Sequence, residues 1–273
     1  MDTLTVILTT LNEERNIERC LDSVRWADEI VVVDSFSTDR TPELARRYTH
    51  RFYQHPYAGS SRQVERGISY ARSTWVFIID ADEVMSEELA LEIRGVLTDS
   101  REMAGFEILR KAYAFGKWIQ HGGWFPDLQT RFFRRDSYTA NHQEVHGGFR
   151  VQGKCGRLEG VLHHYTYDTI FSYIAKMNDY TSLEIANRLA RDAGATSRWY
   201  NLLLNPLSHF LRMFISLKGY RDGFHGFVLA VLDAVYSLLL YAKLWEFRMR
   251  QAEGEGFLPP ITNEDLNQAK RSR

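Results

Sequence analysis

Two aspartates one residue apart, Asp80 and Asp82, follow directly on the apolar run Trp75-Val76-Phe77-Ile78-Ile79. A buried strand that empties into two carboxylates suits a hard divalent cation. Mg²⁺ or Mn²⁺ takes oxygen ligands and is usually held by one or two carboxylates plus substrate phosphates. Side chains at i and i+2 of an extended segment point the same way. Asp80 and Asp82 can therefore converge, one on the cation and one on a ribose hydroxyl or a metal-bound water. The alternative for the same residues is that Asp82 or Glu83 caps a following helix.

Other polar residues fall at comparable places. Leu4 to Thr9 reads as a buried strand ending in Asn12-Glu13-Glu14, and Glu29 to Asp34 as a second, ending in Ser35-Phe36-Ser37-Thr38-Asp39. Asp34 can accept a hydrogen bond from a base ring N–H such as uracil N3–H, or serve as a turn residue before Ser35. Thr9, Asn12 and Glu13 can contact base or ribose. Asp39 reads as an Asx-turn or cap residue. Arg62, Gln63 and Arg66 share one face of an expected helix over 60–71 and can face phosphate, although a solvated role suits Arg66 equally.

These positions need a scaffold. Helices are expected at Ile17–Val24, from Thr41-Pro42-Glu43 with a cap and Pro at its start, and from Ser86. A short third strand is expected at 51–54, and Trp75–Ile79 is the fourth. Four strands alternating with helices imply a parallel sheet with right-handed crossovers. Ligands of such sheets bind at the carboxyl ends of the strands, where Asn12, Glu13, Asp34, Ser35, Asp39, Asp80 and Asp82 all lie. The fold class is therefore α/β, a mostly parallel sheet with helices on both faces.

The pattern changes after residue 104. Strands are expected at 106–110 and 130–133, separated by the Gly- and aromatic-rich stretch 116–126, and followed by Glu144-Val145-His146-Gly147 and His163-His164-Tyr165. The organisation expected is a nucleotide-binding half over 1–104, an acceptor-side half over 105–168, a helical region over 169–253 and a polar tail over 254–273. In the helical region Ile170–Arg191 is amphipathic. Phe227–Ala242 is apolar except for Asp233 and Ser237, and falls short of the roughly 20 residues of a membrane span. Arg212, Lys218, Arg221, Lys243, Arg248 and Arg250 surround it. Aromatics beside basic residues suit a helix in the membrane interface; a hairpin packed on the domain or on a second subunit is the other reading.

The 273 residues carry 44% hydrophobic and 25% charged residues with a net charge of −1, so nucleic acid is not indicated as a partner. Cys20 and Cys155 have no metal or disulfide spacing, which fits a reducing cytoplasm. The first residues enter a strand pattern, so no secretory signal is expected.

The segments TTLNEERNIERCLDSV, EIVVVDSFSTDRT and WVFIIDADE together resemble the nucleotide-binding half of the family 2 glycosyltransferases, which have the GT-A fold. GGWFPDLQTRFF, VHGGF and HHYTY, with the closing YRDGFHGFVLAVLDAVYSLLLYAKLWE, resemble a bacterial subgroup of lipopolysaccharide-core glucosyltransferases. The resemblance runs from residue 4 to about residue 250. It implies inverting transfer of a hexose, glucose above all, from a UDP-sugar to a lipopolysaccharide core or related glycan. It implies Mg²⁺ or Mn²⁺ as cofactor. The aromatic and basic C-terminal helices would place such an enzyme peripherally on the inner face of the cytoplasmic membrane, with packing on a second subunit, a homodimer, as the other reading. Asp34 would hold the base, with Thr9, Asn12, Glu13, Ser35, Gln63, Arg66 and Asp80 on the donor. Asp82, with His164, would hold the metal; a structural histidine is the other reading of His164. Breaking the anomeric C–O bond builds negative charge on the diphosphate, which a divalent cation stabilises. A base deprotonates the incoming hydroxyl from the opposite face.

The chain departs from the family at the base. Relatives read Val-His-Glu where this chain has Val145-His146-Gly147. Glu144 is the first candidate base and Asp127 the second. His146 and Trp124 are expected on the acceptor; Trp118 and Trp124 suit either sugar stacking or core packing. Only Gln63 survives of a Gln-Lys-Asn pattern. Two other functions fit the donor half. A sugar-phosphate nucleotidyltransferase would carry a Gly-rich basic loop after the first strand, and Thr10-Leu11-Asn12-Glu13-Glu14 is acidic and glycine-free. A non-catalytic scaffold would keep the fold and lack the base.

Overall fold

Side-chain alternation along the first strand decides which helix covers which face. The computed structural model describes residues 2–99, 103–141 and 148–253. In β1 (Leu4–Thr10), Leu4, Val6 and Leu8 point into one apolar cluster and Ile7 into another. The first cluster takes Ile17, Leu21 and Val24 of α1 (Ile17–Val24) and Leu44 of α2 (Thr41–Ala45). The second takes Val64 and Ile68 of α3 (Ser60–Tyr70). A strand buried on both faces carries apolar residues at odd and even positions alike, which is why LTVILTT reads as a continuous run.

β2 (Glu29–Asp34), β3 (Phe52–Gln54) and β4 (Trp75–Asp80) join β1 in parallel, in the order β3-β2-β1-β4. Thr9 stands opposite both Val33 and Asp80, and Thr10 opposite Asp34, so three strands end at one level. β5 (Glu83–Met85) is a short strand that the sequence pattern does not signal. Ser86, not Asp82 or Glu83, caps α4 (Glu87–Thr98), accepting from the Leu89 N–H at 3.2 Å. Thr41 lies inside α2 rather than capping it, and Asp39 Oδ1 accepts its N–H at 2.9 Å, the Asx-turn expected of Asp39.

The sheet continues antiparallel through β6 (Gly105–Ala114) and β8 (Asp127–Arg134), with β7 (Lys117–Trp118) folded back on the end of β6. β9 (Tyr138–Asn141) and β10 (Gly148–Val151) form a separate ribbon. β11 (Cys155–Tyr167) is far longer than the His163–Tyr165 signal suggests and pairs with β5. The spatial order is β3-β2-β1-β4-β8-β6-β11-β5, a mixed sheet with helices on both faces.

The chain divides into two compact units. One comprises residues up to Lys111 together with Asp127–Tyr165; the other comprises Ala112–Pro126 and the described residues from Thr166 onward. The stretch expected as an acceptor-side half is thus shared. Of residues 105–168, β8, the ribbon and most of β6 and β11 belong to the first unit, and β7 with the Gly-rich loop to the second. In the second unit α5 (Ile170–Arg191), α6 (Asn201–Leu211) and α7 (Phe224–Ala252) enclose a small core of Ala114, Ile119, Met213, Leu229 and Ala230. Thr169 and Ser172 form a capping box at the start of α5. α7 is longer than the apolar run Phe227–Ala242, because it continues through Trp245 and Phe247. Its 29 residues, at about 1.5 Å each, exceed the roughly 30 Å hydrocarbon thickness. By length and composition it is the one described helix able to cross a membrane, and 28% of its apolar window is buried.

Candidate active site

The loops after β1 and β2 are laced together by side chains the sequence places there. The Asn12 N–H donates to Ser37 Oγ at 2.8 Å, and Asn12 Oδ1 accepts from Thr38 N–H at 2.8 Å. The Glu13 N–H donates to Thr41 Oγ1, and Glu14 N–H to Asp39 Oδ2. Asn12 and Phe36 adopt left-handed φ of 54° and 63°. For a bulky residue such as Phe36 that conformation costs on the order of 1–3 kcal/mol and persists only where the surroundings over-determine it.

Asp34 is fully buried at the base of this lacing. Its carboxylate accepts from Gln54 Nε2 and Ser37 N–H, both at 2.9 Å, and from the Ser37 hydroxyl. A buried carboxylate keeps its charge only against such donors. Gln63 is also buried. Its Nε2 donates to Ser35 Oγ at 2.7 Å and to the His55 carbonyl, and its Oε1 accepts from Arg66 Nη1 at 2.7 Å. Arg66 in turn donates to the Pro56 carbonyl, while Arg62 is exposed. Ser35, Gln63 and Arg66 therefore form one chain under the loops.

The carboxylates after β4 take different partners. Asp80 Oδ2 accepts from Arg131 Nη2 at 2.8 Å, and its Oδ1 from Thr9 Oγ1 at 3.3 Å. Asp82 Oδ2 stands 3.3 Å from His164 Nε2, with each side chain about 15% exposed. The backbone explains this pairing: His164 is opposite Glu83 in β11, and Tyr165 N–H donates to the Asp82 carbonyl at 2.9 Å. Arg19 covers the Tyr165 ring at 3.7 Å, a cation–π contact.

Behind them lies a network that the sequence reading misses. Glu83, fully buried, accepts Asp80 N–H at 3.0 Å and lies 3.4 Å from Arg131 Nη2 and 3.3 Å from Arg110 Nη1. Burial pushes the Glu83 carboxyl up and Arg131 opposes that shift. Burial alone would lower the Arg131 pKa, but Glu83 and Asp80 outweigh it and hold the guanidinium charged. Arg131 is the extra residue of a β-bulge, since the register steps from Phe106↔Phe132 to Glu107↔Thr130. Bulges re-aim side chains in this way. Arg110 binds Asp127 Oδ2 through Nε and Nη2, both at 2.7 Å, and Gln129 donates to Asp127 Oδ1. The polar period-two run Asp127, Gln129, Arg131 was the visible signal for this network; the bulge had none.

Both oxygens of Asp127, the second candidate base, are thus occupied by Arg110 and Gln129. Glu144, the first candidate, and His146 lie outside the described residues. Trp124 belongs to the second unit, half-buried against its core, with its ring 6.3 Å from that of Tyr167.

Asp82 and His164 fit a divalent cation. Their separation is close to the roughly 3 Å between adjacent ligands of a six-coordinate ion with bonds of about 2.1 Å. Among the described residues no three His, Cys, Asp or Glu side chains converge, so the other positions would fall to substrate phosphates and water. The imidazole nitrogen favours Mn²⁺ over Mg²⁺.

Sequence comparison gives the wider context. The Glycosyl transferase family 2 profile matches residues 5–162. The lipopolysaccharide core biosynthesis glycosyltransferase LpsC of Rhizobium meliloti (strain 1021) is 30% identical over 255 residues, 89% of this chain and 92% of that protein. The uncharacterized glycosyltransferase RP128 of Rickettsia prowazekii is 28% identical over 92% of this chain and 89% of its own. The crystal structure of S. aureus TarS 1-349 aligns over 91% of this chain and 92% of that one, with 14% identity and a TM-score of 0.44. Carboxylates at the ends of parallel strands and an acidic, glycine-free first loop agree with transfer of a glycosyl rather than a nucleotidyl group. The chain belongs to glycosyl transferase family 2 and is a glycosyltransferase of GT-A fold.

Proposed function

We propose that this glycosyltransferase moves a hexose, glucose in the first instance, from a UDP-sugar to a lipopolysaccharide core or related glycan, with inversion at the anomeric carbon. The observation that carries the reading is the Asp82–His164 pair at 3.3 Å, beside an Asp80 already neutralised by Arg131. Asp82 and His164 would hold Mn²⁺ or Mg²⁺, which supplies positive charge to the departing diphosphate. Thr9, Asn12, Glu13 and Ser35 bind base and ribose. Asp34, buried with both oxygens taken by Ser37 and Gln54, does not reach the base as expected and instead joins Gln63 and Arg66 in keeping those loops in place. Asp80 orients the ribose, with Arg131 fixing its carboxylate. Glu144 takes the proton of the acceptor hydroxyl, a role that the occupied oxygens of Asp127 leave open.

The acceptor reading rests on the likeness to LpsC over most of both chains. A membrane-embedded acceptor agrees with the second unit, where Phe171, Trp199, Leu203, Leu204 and Phe224 are all more than half exposed. Apolar patches of this kind mark an interaction surface. The enzyme then works from the cytoplasmic face as a peripheral protein. The same faces would cover one another in a homodimer, which light scattering in the presence and absence of detergent distinguishes.

The test is transfer from UDP-[14C]glucose to deglycosylated lipopolysaccharide core with Mn²⁺. EDTA should abolish transfer and Mn²⁺ restore it. Asp82→Ala should lower kcat/KM by on the order of 10²-fold or more, the scale for losing a principal electrostatic stabiliser of the leaving group. Full activity in Asp82→Ala would remove the metal assignment, and a preference for GDP- or dTDP-sugars would remove the uridine reading.

A further inference from the structure

The segment Leu217–His225 grips a loop of the second unit at several points. Asp222, 2% exposed, closes the 3₁₀ turn Gly219–Asp222. Its carboxylate accepts the His121 N–H at 2.7 Å and the Gln120 N–H at 3.2 Å, and His121 Nδ1 lies 3.4 Å away. The Asp222 carbonyl accepts from Lys117 Nζ at 2.6 Å. On either side, Gly122 N–H donates to the Leu217 carbonyl at 2.8 Å, and His225 Nε2 meets the Phe115 carbonyl at 3.4 Å. The loop needs such ties. Phe115, Gly116, Gly122 and Gly123 all carry left-handed φ, and Gly122 and Gly123 make the turn that presents Trp124. A buried carboxylate taking backbone N–H groups is a strong, directional clasp, and its removal leaves buried donors unpaired.

The gripping segment and the turn just before it, from Arg212, have a second property. Ile215, Leu217, Tyr220 and Phe224 are exposed apolar residues, interleaved with exposed Arg212, Lys218 and Arg221. Lys243, Arg248 and Arg250 are instead turned to partners within the helical unit. The basic fringe thus gathers on the stretch that holds the loop. Apolar and aromatic side chains among lysine and arginine suit the headgroup level of an anionic bilayer.

We infer that Asp222 is a positioning residue for the acceptor: it locks the loop 117–124, with Trp118 and Trp124, onto a segment that rests on anionic lipid, so that a glycan carried by a lipid meets the tryptophans at the membrane surface. This rests on the proposed lipid-borne acceptor. The residue acts through the loop and touches neither donor nor reacting atoms.

The experiment uses the full chain with vesicles of phosphatidylglycerol and phosphatidylethanolamine carrying lipopolysaccharide core acceptor. Four readouts are taken: vesicle flotation, donor KM, donor hydrolysis without acceptor, and acceptor KM. In Asp222→Asn flotation, donor KM and donor hydrolysis should stay at wild-type values, while acceptor KM rises about tenfold, the effect of losing one charge-assisted hydrogen bond. Lys117→Met, which removes only the outer tie and keeps the side-chain length, should move the same parameter in the same direction by less, and it serves if Asp222→Asn does not fold. A uniform fall of hydrolysis and transfer, or an unchanged acceptor KM in both variants, would overturn the role of Asp222 alone. Wild-type protein that ignores vesicles, or that transfers equally well to soluble and embedded acceptor, would overturn the membrane reading and this inference with it.

Discussion

Individual side chains in the first unit have divided the work between charge and placement. Asp80 and Asp82 follow one strand, yet one is bound by Arg131 and the other faces His164. The division is decided by β8 and β11, which bring an arginine and a histidine from 51 and 82 residues away in sequence. Cys20 lies under the same cluster, its Sγ 3.4 Å from the Asp80 carbonyl, and burial together with Glu83 raises its thiol pKa well above the ordinary range. The thiolate is the reactive form, so Cys20 should resist iodoacetamide in the native protein. Cys155 is exposed, and its pKa is also raised, by desolvation and by Glu107. Its alkylation should be slow at neutral pH and accelerate as pH rises through the thiol range, because a raised pKa lowers the thiolate fraction below it. Mass spectrometry should find one labelled cysteine in native protein and two in denaturant; labelling of Cys20 without unfolding would contradict its burial.

At the scale of elements, local sequence signals serve well where a strand or helix is buried by its neighbours in the chain. Ile17–Val24, Glu29–Asp34 and Ile170–Arg191 form over the residues their patterns indicate, because each carries a continuous apolar run or a helical apolar stripe. β5 and most of β11 escape, since they exist only through pairing with distant strands, and β7 escapes because it is two residues folded back on the end of β6. The pairing has a steric condition. At Gly160 in β11 a Cβ would lie 2.4 Å from Leu89 Cα and 2.5 Å from Leu89 N, backbone atoms of α4 that cannot swing aside. Gly160→Ala should cost about 1–3 kcal/mol, the usual penalty of overpacking. A fall in the urea midpoint with unchanged m-value checks this, and an unaltered midpoint would mean that α4 can shift.

Taken whole, the molecule joins a catalytic sheet to an unusually apolar helical unit. Leu204, Leu207 and Leu211 on α6 are each more than 45% exposed, so replacing them should not disturb the core. The triple change Leu204→Gln, Leu207→Gln, Leu211→Gln should keep Tm within a few degrees, raise solubility and release the protein from vesicles. Each buried leucine contributes about 1.5–3 kcal/mol to such binding. Retained flotation would shift the contact to another face of the unit. Removing residues 199–250 outright would be a poorer test, because Met213, Leu229 and Ala230 belong to the unit's own core. By itself the sequence determined the parallel βα framework, the level at which Asp34, Asp80 and Asp82 emerge and the family, because these depend on periodicity and on residues adjacent to strand ends. Only the tertiary structure decided that Arg131 faces Asp80, that His164 faces Asp82, that Asp127 is tied by Arg110 and that Asp222 grips a loop a hundred residues upstream. Such contacts depend on strand register, on a one-residue bulge and on long-range packing, none of which leaves a local pattern in the chain.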